Sequence, residues 1–134
     1  MAGGKGNYLS GKILDLIFGD TAYMAPATIY IALYTAMPSG TGGGTEVTGG
    51  GYARVAVPND VAHWPNQSGG VKVNGQDIDF GSASADWGTI VGAAAWDALT
   101  SGNELYWGPF ISPVAVLNGN SFKVASGGAT FTEA

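Results

Sequence analysis

Pro26-Ala-Thr-Ile-Tyr-Ile-Ala-Leu-Tyr-Thr35, followed by Ala36-Met-Pro-Ser-Gly-Thr-Gly-Gly-Gly-Thr-Glu-Val-Thr-Gly-Gly-Gly51 and Tyr52-Ala-Arg54, is the stretch that decides the fold class. Ile29, Ile31 and Leu33 alternate with Tyr30, Ala32 and Tyr34. That is the period of a strand with an apolar residue on each face, so the strand is central or has both faces covered. Met37-Pro38 ends it. Gly40–Gly51 then holds seven glycines, too many to pack by itself, and Tyr52–Val57 resumes the strand pattern. The stretch carries no nucleophile–base pair, no cluster of metal ligands and no complete phosphate loop. It implies a β module that acts through its shape on other protein surfaces, and it argues against an enzyme.

Downstream the pattern continues. Val71–Val73 and Ile78–Phe80 flank Asn74-Gly75, a type I′ hairpin signal. Gly88–Trp96, Leu105–Ile111, Ala115–Leu117, Phe122–Val124 and Ala129–Thr132 read as further strands, with a hairpin turn expected at Asn118-Gly119-Asn120. Upstream, Leu9, Ile13, Leu16 and Ile17 follow helical spacing, with Asn7 placed to cap the start and Gly19 the end. The expected architecture is mainly β: an antiparallel β-sandwich or flattened barrel of about seven to nine strands with one short N-terminal helix. It is read as a single domain over residues 1–134: a flexible arm at 1–6, a helix at 7–19 and a β domain at 26–134. The helix either covers one end of the β core or inserts into a partner, and the first is favoured.

Composition narrows function. Of 134 residues, 46% are hydrophobic, enough for a core, and only 11% are charged, against about a quarter in typical soluble domains. Part of the surface is therefore neutral or covered by a partner. The net charge is −5, and the five basic residues (Lys5, Lys12, Arg54, Lys72, Lys123) are scattered. Without a basic face neither nucleic acid nor an anionic membrane is an expected partner. There is no cysteine, which removes disulfides, thiolate chemistry and sulfur-ligated zinc. Gly11, Lys12 and Asp15 interrupt the only apolar run near the N-terminus, so assembly inside a cell without export is expected.

Several tempting motifs fail on their context. Gly6-Asn-Tyr-Leu-Ser-Gly-Lys-Ile13 nearly matches a phosphate loop, but Ile13 stands where magnesium needs Ser or Thr, and no strand precedes it. His63 is the sole histidine, and nothing in the sequence orients a serine against it. Asp77, Asp79 and Asp86 invite a calcium site or an acid–base pair, yet Asp77 and Asp79 alternate about Ile78 as the solvated face of a strand. Asn66-Gln67-Ser68 fits a glycosylation sequon that has no export signal to make it usable. No catalytic, cofactor-binding or metal-binding residue is assigned, and no cofactor is expected.

Pro26–Thr35, Gly43-Gly-Thr-Glu-Val-Thr-Gly49 running on to Tyr52-Ala-Arg54, Trp87-Gly88-Thr89, and Asp97 followed by Ser101-Gly-Asn-Glu-Leu-Tyr106 resemble the small structural proteins of tailed bacteriophages. Members of that group are tail-fibre-like or decorate the head, and the resemblance extends from about Leu9 to Phe131. It implies a virion protein, commonly a homo-oligomer and here a trimer, with the major capsid protein as partner. The absence of heptad or collagen-like repeats favours a capsid decoration or cement protein. The alternative is a tail or head fibre adaptor that binds a host-surface glycan, for which an exposed Trp64 or Trp107 would be the stacking platform. The contact residues expected on apolarity and flexibility are Tyr8, Leu9 and Ile13 in the N-terminal segment, and Thr45, Glu46 and Tyr52 around the glycine loop.

Overall fold

The computed structural model describes residues 3–132, except for the side chain of Ile111. The elements, in chain order, are β1 (Gly4–Lys5), α1 (Asn7–Ile17), β2 (Thr28–Ala36), β3 (Thr45–Glu46), β4 (Val55–Pro58), β5 (Val71–Val73), β6 (Ile78–Ser82), β7 (Gly88–Trp96), β8 (Glu104–Val116), β9 (Ser121–Val124) and β10 (Thr130–Thr132). The protein is mainly β, every pairing is antiparallel, and no barrel closes.

One sheet dominates. Its order is β1-β8-β7-β2-β3, with β4 also paired to β2. The strand at its centre is the one whose two faces both read as apolar. Ile31 and Leu33 face the main core with Ile90, Ala93, Ala95 and Val116, while Ala32 and Tyr34 face the other side with Ala94, Trp96 and Trp107. Burying each aliphatic side chain of this kind stabilises the fold by roughly 1.5–3 kcal/mol. Alanines at 93–95 let β7 run close to its neighbours. At Gly92 a Cβ would collide with the Met37 sulfur and the Gly108 carbonyl, so no larger residue fits there.

Two short ribbons, β5–β10 and β6–β9, lie off the main sheet, and Ile78, Phe80, Phe122 and Val124 join its core. This pairing corrects the hairpin expected at Asn74-Gly75: β5 pairs with β10 and β6 with β9. The reason is the burial of Asn74. Its amide donates to the Gln76 and Ala125 carbonyls, and its Oδ1 accepts from Ala129 N–H at 2.8 Å. Asn74 therefore ties three segments together from inside. The turn at Asn118–Asn120 does form, with Asn120 N–H donating to the Leu117 carbonyl, but it passes the chain from the main sheet to a ribbon. The two strands expected at Leu105–Ile111 and Ala115–Leu117 are one strand, β8, with Pro109 accommodated where the β7–β8 register shifts.

The expected flexible arm is corrected in part. Gly4 and Lys5 pair with Trp107 and Tyr106 as an edge strand, while Met1 and Ala2 lie outside the described residues. Asn7 does not cap the helix. Gly6 holds the N-cap position without a side-chain bond, and Asn7 donates its backbone N–H to the Gly40 carbonyl at 2.7 Å.

Candidate functional site

α1 is anchored at its beginning and free at its end. Gly6 N–H donates to the Leu105 carbonyl at 2.8 Å, and Leu9 is the helix's buried residue. Tyr8 meets the Tyr23 ring edge-on at 6.5 Å, with the Lys12 ammonium 5.6 Å from the Tyr8 ring centre. Beyond that turn the helix has no core to rest on. Leu14, Leu16 and Ile17 are exposed, Phe18 is 77% exposed, and Met24 in the following segment is 90% exposed. The chain then returns through Tyr23, Ala25 and Pro26 to the body of the protein. Five large apolar side chains thus form a ridge, where a helix covering a core would have hidden them. A soluble monomer rarely leaves so many large apolar side chains exposed in so short a segment without an occupant.

Beside the foot of this helix lies a cleft of about 650 Å³, with walls that include Leu9, Ile29, Val61, Trp64, Tyr106 and Phe131. Trp64 is 8% exposed, its ring meets Phe131 edge-on at 6.1 Å, and its Nε1 is buried with no acceptor. Lys72, on the same cleft, spends its ammonium on the Trp64 and Pro65 carbonyls at 3.0 and 2.8 Å.

The glycine loop is not a free arm. Glu46 and Arg54 face each other across it in a two-pronged ion pair, with Nη2 to Oε1 at 2.9 Å and Nε to Oε2 at 3.0 Å. Arg54 also donates from Nη1 to the Ala98 and Ser101 carbonyls, both at 2.9 Å, and lies over the Trp96 ring at 4.2 Å. Tyr52 donates its hydroxyl to Glu46 at 2.7 Å and accepts from Leu33 N–H at 2.9 Å, where β2 would otherwise present an open edge donor. Burial, chiefly, pushes the Tyr52 phenol far above its ordinary range. Burial also works against the charge on Arg54, but the hydrogen bond and charge of Glu46 outweigh it and raise its pKa. Trp96 Nε1 in turn donates to Tyr34 at 3.1 Å, and that phenol is pushed up to about 12, mainly by burial.

The six expected contact residues fall into two groups. Leu9 is buried within the chain, Tyr8 and Ile13 are half-buried on α1, and Thr45 is exposed. Glu46 and Tyr52 face inward, bound to Arg54 and the backbone, so they shape the loop and do not offer their side chains outward. The start of α1 and the glycine loop meet where Asn7 N–H donates to the Gly40 carbonyl. Sequence reasoning missed Arg54 as the residue that closes the loop and missed Phe18 and Met24 as the most displayed apolar groups. The run Leu14–Phe18, apolar beyond what one helix stripe needs, was the available signal.

A second, smaller cleft of about 430 Å³ is lined by residues including Asn7, Tyr8, Trp96, Asn103 and Glu104. Glu104 is 6% exposed, sits across the ladder from Trp96, and has no partner for either carboxylate oxygen. Desolvation pushes its pKa from 4.5 up to about 7.

The carboxylates that invited chemistry serve turns. Asp77 accepts from Ser126 N–H and pairs with Lys123, which together hold its pKa below the ordinary value. Asp79 accepts from Gly81 N–H and Asp86 from Asn118 N–H. His63 contacts Asp60 through Nδ1 at 2.7 Å, near the surface. Among the described residues no three His, Asp or Glu side chains gather as a metal site, and no helix is long and apolar enough to cross a membrane.

Residues 4–132, nearly the whole chain, match the model of the family described as Podophage GP4 fiber I protein gp80. No curated protein matches the chain.

Proposed function

Because the chain belongs to this podophage fibre family, and is thus a fibre-type structural protein of a tailed-phage virion, we propose that it works as a fibre module that docks passively on other virion polypeptides through the apolar ridge of α1. The observation that carries this reading is the ridge itself: Leu14, Leu16, Ile17, Phe18 and Met24, five of the nine exposed large apolar side chains among the described residues, all lie between residues 14 and 24. Covering such side chains adds free energy only to the assembled particle. Many symmetric copies make a modest single contact sufficient. No turnover is required, and Asp77, Asp79 and Asp86 each accept a backbone N–H.

Of the two roles expected from the sequence, the fibre role is favoured over capsid cement, because the matched family is described by its fibre. The host-glycan part of that role has less support, since Trp64 and the Trp107 indole nitrogen are turned inward instead of forming an open platform.

The test is a phage carrying Ile17→Asp and Phe18→Asp together. Both residues are exposed, so the purified variant should keep its urea midpoint while its copy number per particle falls at least tenfold by quantitative mass spectrometry. Unchanged incorporation would overturn the reading. Electron microscopy of particles with a tagged copy places the protein. Density on a fibre supports the proposal, and density spread over the capsid shell returns the cement role.

A further inference from the structure

We propose that β1 and Gly6 form a strap that seals the Glu104 side chain and lifts off the edge of β8 when that side chain ionises, so that the start of α1 is held to the sheet in a pH-dependent way. This holds whatever covers the apolar ridge of α1.

The geometry joins a sealed acid to a lightly held cover. Glu104, the first residue of β8, is 6% exposed, and neither carboxylate oxygen has a partner or reaches the surface. The backbone of Gly6 lies directly on this residue: a Cβ at Gly6 would strike the Glu104 carbonyl and stand 3.5 Å from the Glu104 Cβ. The same close approach recurs at Gly3, where a Cβ would strike the Trp107 carbonyl. Only residues without a side chain lie so flat along an edge, and they bury no apolar group of their own. Backbone hydrogen bonds hold the strap. Gly4 and Lys5 pair with Trp107 and Tyr106, Gly6 N–H donates to the Leu105 carbonyl at 2.8 Å, and Asn7 N–H donates to the Gly40 carbonyl at 2.7 Å. Leu9 is the first large apolar side chain to be buried. A two-residue edge strand of this kind opens at lower free energy than the central strands.

An unpartnered carboxylate is costly wherever water is kept out. Glu104 lines the smaller cleft with Asn7 and Tyr8, so water has a short path to it once the strap moves. The titratable groups around it are Lys5 on β1, Tyr8 on α1, Tyr34 on β2, Asp97 in the turn before β8, and the Arg54–Glu46 pair beyond the Trp96 ring. Burial is what raises the Glu104 pKa from 4.5 to about 7. Below 4.5 the carboxyl is protonated with the strap open or closed. Above that value the open form releases its proton first, so opening grows more favourable until the closed form also ionises near pH 7. The opening constant rises tenfold for each pH unit between the two values, a ceiling of about 300-fold. Screening by water in the cleft leaves a rise of at least about tenfold.

Hydrogen exchange of the Gly6 and Asn7 amides, followed by NMR on the full chain and divided by the intrinsic rate at each pH, tests this beside Glu104→Gln, which cannot ionise. The opening constant of the native protein should match that of the variant at pH 4 and exceed it at least tenfold at pH 8. Trypsin at pH 8 gives a second readout. It should cut after Lys5 first, so that residues 6–134 accumulate before any cut after Arg54, Lys72 or Lys123, and this first cut should be at least tenfold slower in the variant. A native-to-variant ratio that stays level with pH overturns the proposal. An opening constant at Gly6 no larger than at Ile31 and Leu33 of β2, or cuts at all these sites together, also overturns it, because the whole fold then opens and the strap does not act alone. Neither result bears on the copy number of the ridge variant in particles, so docking through α1 stands or falls separately.

Discussion

Glu104 makes the stability of this protein depend on pH in the direction opposite to most carboxylates. In the unfolded chain its pKa is that of a free glutamate, 4.5, and in the fold it is about 7. Between these values the folded protein holds a proton that the unfolded chain has released. The unfolded state binds fewer protons, so stability falls as pH rises through the window. Below 4.5 both states are protonated and no penalty exists; above 7 the penalty is complete. At about 1.4 kcal/mol for each pH unit separating the two values, the ceiling is about 3 kcal/mol. Solvent in the neighbouring cleft screens part of this, and about 2 kcal/mol is the expected loss. Glu104→Gln cannot ionise. Urea unfolding of both proteins from pH 4 to pH 8.5 should show the variant gaining about 2 kcal/mol on the native protein between the two ends, with most of the change between pH 5 and 7. Using the difference between the two proteins cancels the other carboxylates. A difference that stays constant with pH would refute the reasoning and would mean that Glu104 has a partner when the protein is in water.

Other substitutions probe the remaining features. Arg54→Ala leaves Glu46 half-buried and unpaired and frees two loop carbonyls, so urea unfolding should register a loss of about 3 kcal/mol, with Arg54→Lys recovering less than half because an ammonium cannot make the fork. Asn74→Ala strands the Ala129 N–H and two carbonyls inside the fold and should cost about 2–4 kcal/mol in the same assay. At Gly50, where φ is +60° and a Cβ would lie 2.9 Å from both the Ala85 carbonyl and the Trp87 indole nitrogen, alanine should cost more than about 2 kcal/mol. Alanine at Gly49, with φ +73° but open space, should cost about 1 kcal/mol in thermal unfolding; equal losses at both positions would show that contact at Gly50 contributes nothing.

The elements with strong local patterns were legible. β7 spans the residues that its small-residue run marks, and β2 extends the expected run to Ala36, its alternation of β-branched and aromatic side chains admitting little else. The presence of α1 was legible too, but its environment was not. Spacing identifies an apolar stripe and says nothing of whether a core lies beneath it, and here only Leu9 finds one. The same limit explains the site. Glu46 and Tyr52 read as outward groups on a mobile loop. Arg54, eight positions after Glu46, folds back to bind both Glu46 and the 98–101 turn.

By itself the chain's alternation and turn chemistry determined a mainly antiparallel β domain with one short helix, since those choices are made within a few bonds of each residue. Only the tertiary structure decided which strands pair. Asn74-Gly75 is locally a hairpin turn, yet three internal hydrogen bonds draw Asn74 into the interior and send β5 and β6 to different partners. Strand partnership and the exposure of the α1 ridge both depend on groups distant in sequence meeting in space, and nothing in the local period of a segment encodes that.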